Sequence, residues 1–276
     1  MRAALISTAC VLAIAASGCR TRAAGDDTKT VLHTNESWCP DGFEPGPSDT
    51  CFAIPEHPTK DTPVVVYLHG MYQGHGSPAE WETVRGATER GFAVVVPRGK
   101  RGLCAWRAEV RDHYCWPQDP EDVDAMKRVV ASWDRVLWQV DALLEGGTHK
   151  RYVLAFSNGG FFASFIATNG LFAGQGYAIV NGGGLGQPGG AKPAPMLLVS
   201  AEGDPDQGPR MKSLHEGLTK SGWPHAYCPR PGGHAITVDD VDLALRFFKR
   251  DAEGTLKPQG TAYACEVPAP ATGPRK

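Results

Sequence analysis

The sequence predicts a single-domain α/β fold, in which a mostly parallel β-sheet is covered by helices on both faces. Short apolar runs rich in β-branched residues alternate with longer segments of helical periodicity, and glycine and proline separate the two. The chain has 276 residues, of which 42% are hydrophobic, so it can bury one large core. This alternation is typical of parallel strands joined by helices.

The strands and helices are predicted from the period of their apolar residues. The strands are 63–68, 91–97, 151–156, 177–181, 195–200 and 224–229, and 51–54 is expected to add an edge strand. Helices are predicted at 78–90, 120–144, 159–168, 209–221 and 238–250. The clearest is 120–144, where Asp119 is expected to cap, Pro120 fits the first helical position, and Gly146 follows the last apolar residue.

The N-terminus predicts export. Arg2 precedes an apolar stretch over 3–16 and the small residues Ser17 and Gly18, which is typical of a secretory signal over 1–18. The stretch is too short for a permanent transmembrane helix. With Cys19 it resembles a bacterial lipoprotein signal, and this resemblance implies a lipidated Cys19 that anchors the chain to the cell envelope, on a periplasmic or surface face. The alternative is a plain secretory peptide in which Cys19 is incidental.

Composition sets the remaining boundaries of the chain. Residues 19–35 are expected to form a flexible tether, 36–267 the folded domain, and 268–276 a disordered tail rich in proline and alanine. The formal net charge is −2 and no block of Lys or Arg stands out, so we expect no nucleic-acid partner.

The cysteines predict a disulfide framework. Eight occur, and setting aside Cys10 with the signal and Cys19 with the lipid leaves an even set: Cys39, Cys51, Cys104, Cys115, Cys228 and Cys265. In an exported chain such a set indicates three bridges, although sequence alone leaves their connectivity open. Proximity favours Cys39 with Cys51, Cys104 with Cys115, and then Cys228 with Cys265. A zinc site is not expected, because no Cys-x-x-Cys pair occurs.

Ser157 lies where an apolar strand stops before a helical stripe, in Leu154-Ala155-Phe156-Ser157-Asn158-Gly159-Gly160. This predicts a nucleophile elbow, a sharp strand-to-helix turn that projects a hydroxyl above the sheet edge. Small residues at Ala155 and Gly159 would let strand and helix pass closely. Ala155 departs from the usual Gly-x-Ser-x-Gly pattern by one methyl group. A serine in an ordinary surface turn is the competing interpretation of so short a string, and the context has to decide between them.

A base and an acid follow on later loops. A serine hydroxyl needs a base to take its proton and a third group to orient that base. His234 follows the 224–229 strand in a Gly-Gly-His context, and Asp204 follows the 195–200 strand. Both should lie at the carboxyl edge of the sheet, where ligands bind in open α/β folds. Asp206 and Glu202 compete with Asp204 for the acid role, and Asp206 is the fallback.

The chain order Ser157, Asp204, His234 resembles that of the α/β-hydrolase superfamily over roughly residues 51–250. The resemblance implies a single-domain α/β-hydrolase fold and a catalytic triad of these residues. Leu68-His69-Gly70-Met71 resembles the superfamily's oxyanion loop, which implies backbone donors at Met71 and Asn158. His69 and Gly70 then belong to that loop, with His69 stabilising it. Neither a metal nor an organic cofactor is expected.

The segment 99–119 should overhang this site, since it follows the end of a strand. Its aromatic residues Trp106, Tyr114 and Trp116 either wall a pocket or simply cover the sheet edge. No insertion is long enough for a separate lid domain, which favours small or partly exposed ester substrates, free or in a polymer.

The function expected is an exported serine esterase that works through an acyl-enzyme. The disulfides, the His-Gly loop and the late Gly-Gly-His look similar to exported polyhydroxyalkanoate depolymerases and feruloyl esterases. Two alternatives stay open: a peptidase or amidase on the same triad, and a non-catalytic cell-envelope binding protein on a hydrolase scaffold.

Overall fold

The strands of the sheet largely coincide with the predicted runs. The computed structural model describes residues 38–104, 108–146, 149–184 and 190–265. In this part of the chain the strands are β1 (Glu44–Gly46), β2 (Thr50–Ala53), β3 (Val64–Leu68), β4 (Ala93–Pro97), β5 (Arg151–Phe156), β6 (Gly176–Val180), β7 (Met196–Ala201) and β8 (His225–Arg230). Their spatial order is β1-β2-β4-β3-β5-β6-β7-β8. β2 is antiparallel to both β1 and β4, and all other pairs are parallel, as the mostly parallel prediction requires.

Helices cover both faces of the sheet. Over the same residues they are α1 (Pro78–Glu89), α2 (Val123–Ala131), α3 (Asp134–Leu143), α4 (Asn158–Thr168), α5 (Gln207–Lys220) and α6 (Val238–Ala252), with a 3-10 helix at Ala108–Val110. α1 and α6 pack on one face, and α2 to α5 pack on the other. Strand residues feed the two cores alternately, with Val65 and Tyr67 on the α1 side and Val64 and Val66 opposite.

The central strands are buried on both faces, which explains their continuous apolar sequences. Every residue of β3, β4, β6 and β7 is buried. Because these strands are anchored on both sides, the loops at their carboxyl ends have fixed starting points. The loops after β3 and β7 carry Met71 and Asp204, and Ser157 and His234 follow β5 and β8 at the same edge.

The edge of the sheet differs from the prediction, which made residues 51–54 the edge strand. β1 lies outside β2, so β2 is an internal strand. The sequence of β1, Glu44-Pro45-Gly46, contains no β-branched or aromatic residue and carries no strand signal. Ser48 and Asp49 turn the chain between β1 and β2 with φ of 61° and 60°, and the Cys39–Cys51 disulfide holds the segment that precedes β1 against β2.

The prediction of one helix over 120–144 is wrong in two respects. The helix starts at Val123, capped by Asp122, whose side chain accepts from the Ala125 amide; Asp119 instead accepts from Glu121 in the turn before it. The helix is also interrupted at Ser132 and Trp133. There the Ser132 hydroxyl donates to the Val129 carbonyl, in competition with the backbone hydrogen bonds of the helix.

The three disulfides are those that proximity along the chain favoured: Cys39–Cys51, Cys104–Cys115 and Cys228–Cys265. The last joins β8 to the C-terminal segment, where His225 also exchanges backbone hydrogen bonds with Thr261 and Tyr263. The predicted signal, Cys19, the tether, Trp106 and the tail after 267 lie outside the described residues. Within the described ranges, no helix combines the length and apolar character needed to cross a bilayer.

Candidate active site

Ser157 occupies a sharp turn between β5 and α4. Its φ is 51° and its ψ is −118°, a conformation that side-chain-bearing residues rarely adopt and that costs on the order of 1–3 kcal/mol. The turn is held by hydrogen bonds from the Ser157 amide to the Val180 carbonyl (3.0 Å) and from the Gly160 amide to the Ser157 carbonyl (2.9 Å). The strand, the strained serine and the helix therefore follow one another as the elbow prediction requires.

Two glycines allow this turn to close. A Cβ at Gly159 would overlap the backbone of Leu68 and His69, and a Cβ at Gly182 would overlap the backbone of Ser157. Gly159 was predicted from the motif, whereas Gly182 was missed because it follows a different strand. Ala155 is fully buried within β5, where its methyl group is accommodated.

The structure brings Ser157, His234 and Asp204 into one hydrogen-bonded series. His234 Nε2 lies 2.8 Å from Ser157 Oγ, and His234 Nδ1 lies 2.6 Å from Asp204 Oδ2. Since Asp204 can only accept when ionised, Nδ1 carries the proton and Nε2 is free to accept from the serine hydroxyl. This is the arrangement in which an imidazole can act as a general base toward serine.

Asp204 is held as a carboxylate. It is 3% exposed, and its Oδ1 accepts from the amides of Asp206 (3.1 Å) and Gln207 (3.0 Å) at the start of α5. Burial alone would raise the pKa of Asp204, but the Gln207 amide, the hydrogen bond and charge of His234 and the Asp206 amide together hold that pKa below its ordinary value. Among the described residues, neither Asp206 nor Glu202 forms a hydrogen bond or ion pair with His234, whose Nδ1 contacts Asp204.

The loop that carries His234 is fastened on both sides by residues that the sequence analysis missed. Asn181, fully buried at the end of β6, accepts from the Ala201 amide (2.6 Å) and donates to the Ala235 carbonyl (2.7 Å). Arg230 donates to the same carbonyl (2.7 Å) and pairs with Asp240. A capping box between Thr237 and Asp240 then starts α6. These contacts fix the loop that positions the imidazole. A polar residue ending an apolar strand was the available signal for Asn181.

The predicted oxyanion loop is held by its own histidine. His69 Nδ1 donates to the Gly70 carbonyl (2.6 Å), and its Nε2 accepts from the Gly99 amide (2.9 Å), so the ring is neutral. Burial lowers the pKa of His69 to about 3, opposed by the Gly70 hydrogen bond and reinforced by the charge of Arg98. In a trans peptide the carbonyl and the N–H point in opposite directions. Because His69 holds the Gly70 carbonyl, the Met71 N–H is directed away from that ring.

Glu80 clamps the other side of the same glycine and was not predicted. This buried carboxylate on α1 accepts from the Gly70 amide (3.0 Å) and from the Tyr67 hydroxyl (2.5 Å). Burial raises the pKa of Glu80, while the hydrogen bonds from Tyr67 and Gly70 and the charge of His234 oppose the rise. The amides of Met71 and Asn158 donate to no other group among the described residues, so both are free to receive an oxyanion.

A cleft of about 510 Å³ opens over the serine. It is lined by Met71, Gln118, Ser157, Asn158, Phe161, Asp204, Pro205, Asp206, Gln207, Arg210 and His234. The guanidinium of Arg210 lies 5.5 Å from the centre of the Phe161 ring and forms no ion pair within the described part of the chain. The cleft therefore combines one apolar wall with an exposed cation.

Two of the aromatic residues expected to wall the pocket, Tyr114 and Trp116, do not line the cleft. Trp116 is fully buried and stacks on Phe162, with ring centres 5.5 Å apart. Tyr114 packs beneath the guanidinium of Arg98, at 3.7 Å. Trp106 lies outside the described residues. Tyr114 and Trp116 thus cover the sheet edge, which was the second interpretation of this segment. No group of three His, Cys, Asp or Glu suited to a metal ion occurs among the residues that the structure describes.

Comparison with solved structures identifies the fold. Acyl-protein thioesterase 2 of Zea mays is 16% identical, and the match covers 74% of this chain and 98% of that one, with a TM-score of 0.54. A carboxylesterase of Bacillus cereus is 15% identical over 73% and 93% of the two chains, with a TM-score of 0.51. An α/β hydrolase enzyme from a Medee basin deep-sea metagenome library is 12% identical over 77% and 99%, with a TM-score of 0.51.

These likenesses, together with the strand order, show that the chain has the α/β-hydrolase fold. No protein-family model and no curated protein matches the sequence. At such low identity the likeness concerns the fold, and the function has to be argued from the site.

Proposed function

We propose that this chain is a serine hydrolase that cleaves carboxylic esters through an acyl-enzyme intermediate. The observation that carries the proposal is the series Asp204–His234–Ser157, with contacts of 2.6 and 2.8 Å, in which Ser157 lies on a strained turn at the base of an open cleft. The contact of 2.8 Å supports proton transfer from Ser157 Oγ to His234 Nε2.

In the acylation step, Ser157 Oγ bonds to the ester carbonyl carbon while His234 Nε2 takes its proton. The imidazolium that forms is stabilised by the Asp204 carboxylate. The carbonyl oxygen becomes an oxyanion, which the N–H groups of Met71 and Asn158 receive. The carbon–oxygen bond to the alcohol then breaks, and His234 returns the proton to the departing alkoxide.

Water completes the cycle by the same route. His234 takes a proton from a water molecule as its oxygen attacks the acyl carbon, and the proton returns to Ser157 Oγ as the acid leaves. One oxyanion donor of this type contributes on the order of 10²–10³ in kcat. The two donors are on separate segments, so their relative placement matters for both half-reactions.

The substrates proposed are small or partly exposed esters, free or in a polymer. The cleft is open to solvent along Pro205, Asp206 and Arg210, which suits a substrate that extends beyond it. Two neighbours in fold are named as a carboxylesterase and an acyl-protein thioesterase, which agrees with acyl cleavage by this chain. The resemblance to exported polyhydroxyalkanoate depolymerases and feruloyl esterases belongs to this proposal as well.

The proposed location is the cell envelope, through a lipid on Cys19. The signal pattern over 1–18 and the small residues before Cys19 support this proposal, as does the even set of six further cysteines. Cys19→Ser in the full chain is expected to move the protein from the membrane fraction to the soluble exported fraction and to abolish labelling by a fatty-acid probe. An unchanged distribution would contradict the anchor.

The function is tested by comparing the parent with Ser157→Ala on acetyl, butyryl and aromatic p-nitrophenyl esters, with peptide anilides as a second panel. We expect the parent to hydrolyse esters and to take up a fluorophosphonate on Ser157, and the variant to do neither, with a loss in kcat of at least about 10³-fold. Preference for the anilides would favour a peptidase. A variant as active as the parent would refute the serine mechanism.

A further inference from the structure

We propose that Trp116 is a positioning residue that sets the spacing between the two oxyanion donors, an inference that rests on the proposed esterase function. Its backbone amide donates to Asn158 Oδ1 at 2.8 Å, and its indole Nε1 donates to the His69 carbonyl at 2.8 Å. One residue thus connects the elbow that carries one donor with the loop that carries the other.

The two donor segments need such a connection because they leave different strands. The ladder between β3 and β5 ends at the pair Leu68 and Ala155. Beyond that pair the Met71 amide belongs to the loop after β3, and the Asn158 amide begins α4. Among the described residues, Trp116 alone hydrogen-bonds to both segments.

Trp116 is itself held in place by packing. It is fully buried, its ring stacks on Phe162 with an interplanar angle of 6°, and the edge of Trp133 meets it with ring centres 6.1 Å apart. The His69 ring lies 4.9 Å away. This packing restricts the motion of the Trp116 indole, and so it keeps the hydrogen bond from the indole to His69 in place.

The segment before Trp116 is anchored as well. Cys115 is joined to Cys104 and exchanges backbone hydrogen bonds with Lys100 at 2.8 and 3.1 Å. The Tyr114 amide donates to the Tyr72 carbonyl (2.8 Å), one residue beyond Met71. Tyr114 and Trp116, which adjoin Cys115, therefore contact the oxyanion loop or the residue after it, and Trp116 also contacts the elbow.

The contacts leave the donors themselves free. The Asn158 side chain faces Trp116, so its backbone N–H remains available at the start of α4. His69 uses its carbonyl for Trp116 and its ring for the Gly70 carbonyl. Because misplacement by about 1 Å can cost on the order of 10²-fold in rate, loosening this connection should act on kcat.

The test compares Trp116→Phe with Trp223→Phe, each of which replaces a buried indole whose Nε1 donates to a backbone carbonyl, that of Ala194 in the case of Trp223. For Trp116→Phe we expect kcat on p-nitrophenyl butyrate to fall about tenfold to a hundredfold, with KM within about twofold of the parent. The affinity of a trifluoromethyl ketone, whose adduct with serine carries an oxyanion, should fall by the same factor as kcat/KM. The pH profile should keep its shape, because the Ser157–His234–Asp204 contacts are untouched. Trp223→Phe should retain the parental kcat, because its hydrogen bond to Ala194 lies outside the site.

Equal kcat values for the two variants at equal thermal stability would overturn the inference, since packing alone would then account for Trp116. So would a lower kcat with unchanged affinity for the ketone. If Trp116→Phe does not fold, β-(3-benzothienyl)alanine at position 116 removes the same N–H at nearly unchanged volume, and the same outcomes decide. A parent that hydrolyses no ester and takes up no fluorophosphonate overturns the proposed function and this inference together.

Discussion

Replacing Asp204 by asparagine should abolish turnover while leaving the fold intact. The orientation of the new amide follows from the structure. Oδ1 of Asp204 accepts from the amides of Asp206 and Gln207, so the asparagine oxygen must occupy that position. Its NH2 group then faces His234 Nδ1 and donates to it. The imidazole is driven to the tautomer with hydrogen on Nε2, which cannot accept the proton of Ser157.

The expected loss is large because the base itself is removed. Holding the wrong tautomer in a serine triad costs on the order of 10³–10⁴ in kcat, which corresponds to about 4–5.5 kcal/mol of transition-state stabilisation. Stability should fall much less. The amide contacts at the start of α5 are kept, and only the charge-assisted bond to His234 is lost, worth about 1.5–3 kcal/mol.

The stability difference also has a predicted pH dependence. The pKa of Asp204 is lower in the folded protein than in the unfolded chain, so its contribution is present above the unfolded pKa of about 4. It is lost as the pH falls through the folded pKa. The parent and Asp204→Asn should therefore differ in unfolding free energy at neutral pH and converge below about pH 4.

Asp206→Asn is the matched control. Asp206 lies two residues away in the same cleft, but its side chain is exposed and only its amide serves Asp204. Its kcat on p-nitrophenyl butyrate should stay within about twofold of the parent, in line with most exposed substitutions. If Asp204→Asn kept more than a tenth of the parental kcat while Asp206→Asn lost activity, the acid would be Asp206 and the reasoning would fail.

Three further substitutions test other parts of the site. Gly182→Ala should destabilise the protein by about 1–3 kcal/mol and lower kcat, because its Cβ would overlap the Ser157 backbone. The control is Gly217→Ala on α5, where the Cβ meets open space, and it should stabilise the protein by about 0.5–1 kcal/mol in urea unfolding. Glu80→Gln should unfold at a higher temperature than the parent at pH 8, and this difference should be smaller at pH 4. The pKa of Glu80 is raised in the folded protein, so its ionised form, which dominates at high pH, destabilises the fold. An equal difference at both pH values would contradict this. Arg210→Gln should lower kcat/KM about two- to fivefold for a succinyl ester but leave a butyryl ester unchanged, and a parallel loss on both would exclude charge recognition.

The convergence of Ser157, Asp204 and His234 was predictable because their chemistry and their positions along the fold are each visible in the sequence. Ser157 stands at the junction of an apolar run and a helical stripe, while Asp204 and His234 each follow a strand toward the same edge of a parallel sheet. Disulfide pairing followed from short separations along the chain. These are local signals, and the sheet order brings them together without further information.

No local pattern in the sequence identifies the residues that support the site. Glu80 lies on a surface helix where a glutamate usually faces solvent, and only the position of Tyr67 and Gly70 makes it a buried acceptor. The burial of Trp116 depends on Phe162 of α4 and on Trp133 at the start of α3, which pack against it. The interruption at Ser132 and Trp133 goes with a hydrogen bond from the Ser132 hydroxyl to the Val129 carbonyl, which apolar periodicity does not reveal.

The backbone conformation of Ser157 costs folding stability but positions the hydroxyl for the proposed chemistry. Glycine is the residue that adopts a φ of 51° with a ψ of −118° at little steric cost, so the most robust version of this scaffold would lack the reactive hydroxyl. The neighbouring contacts to Val180 and Gly160 must outweigh that local preference in every folded molecule. Selection for stability and selection for reactivity thus act in opposite directions at residue 157.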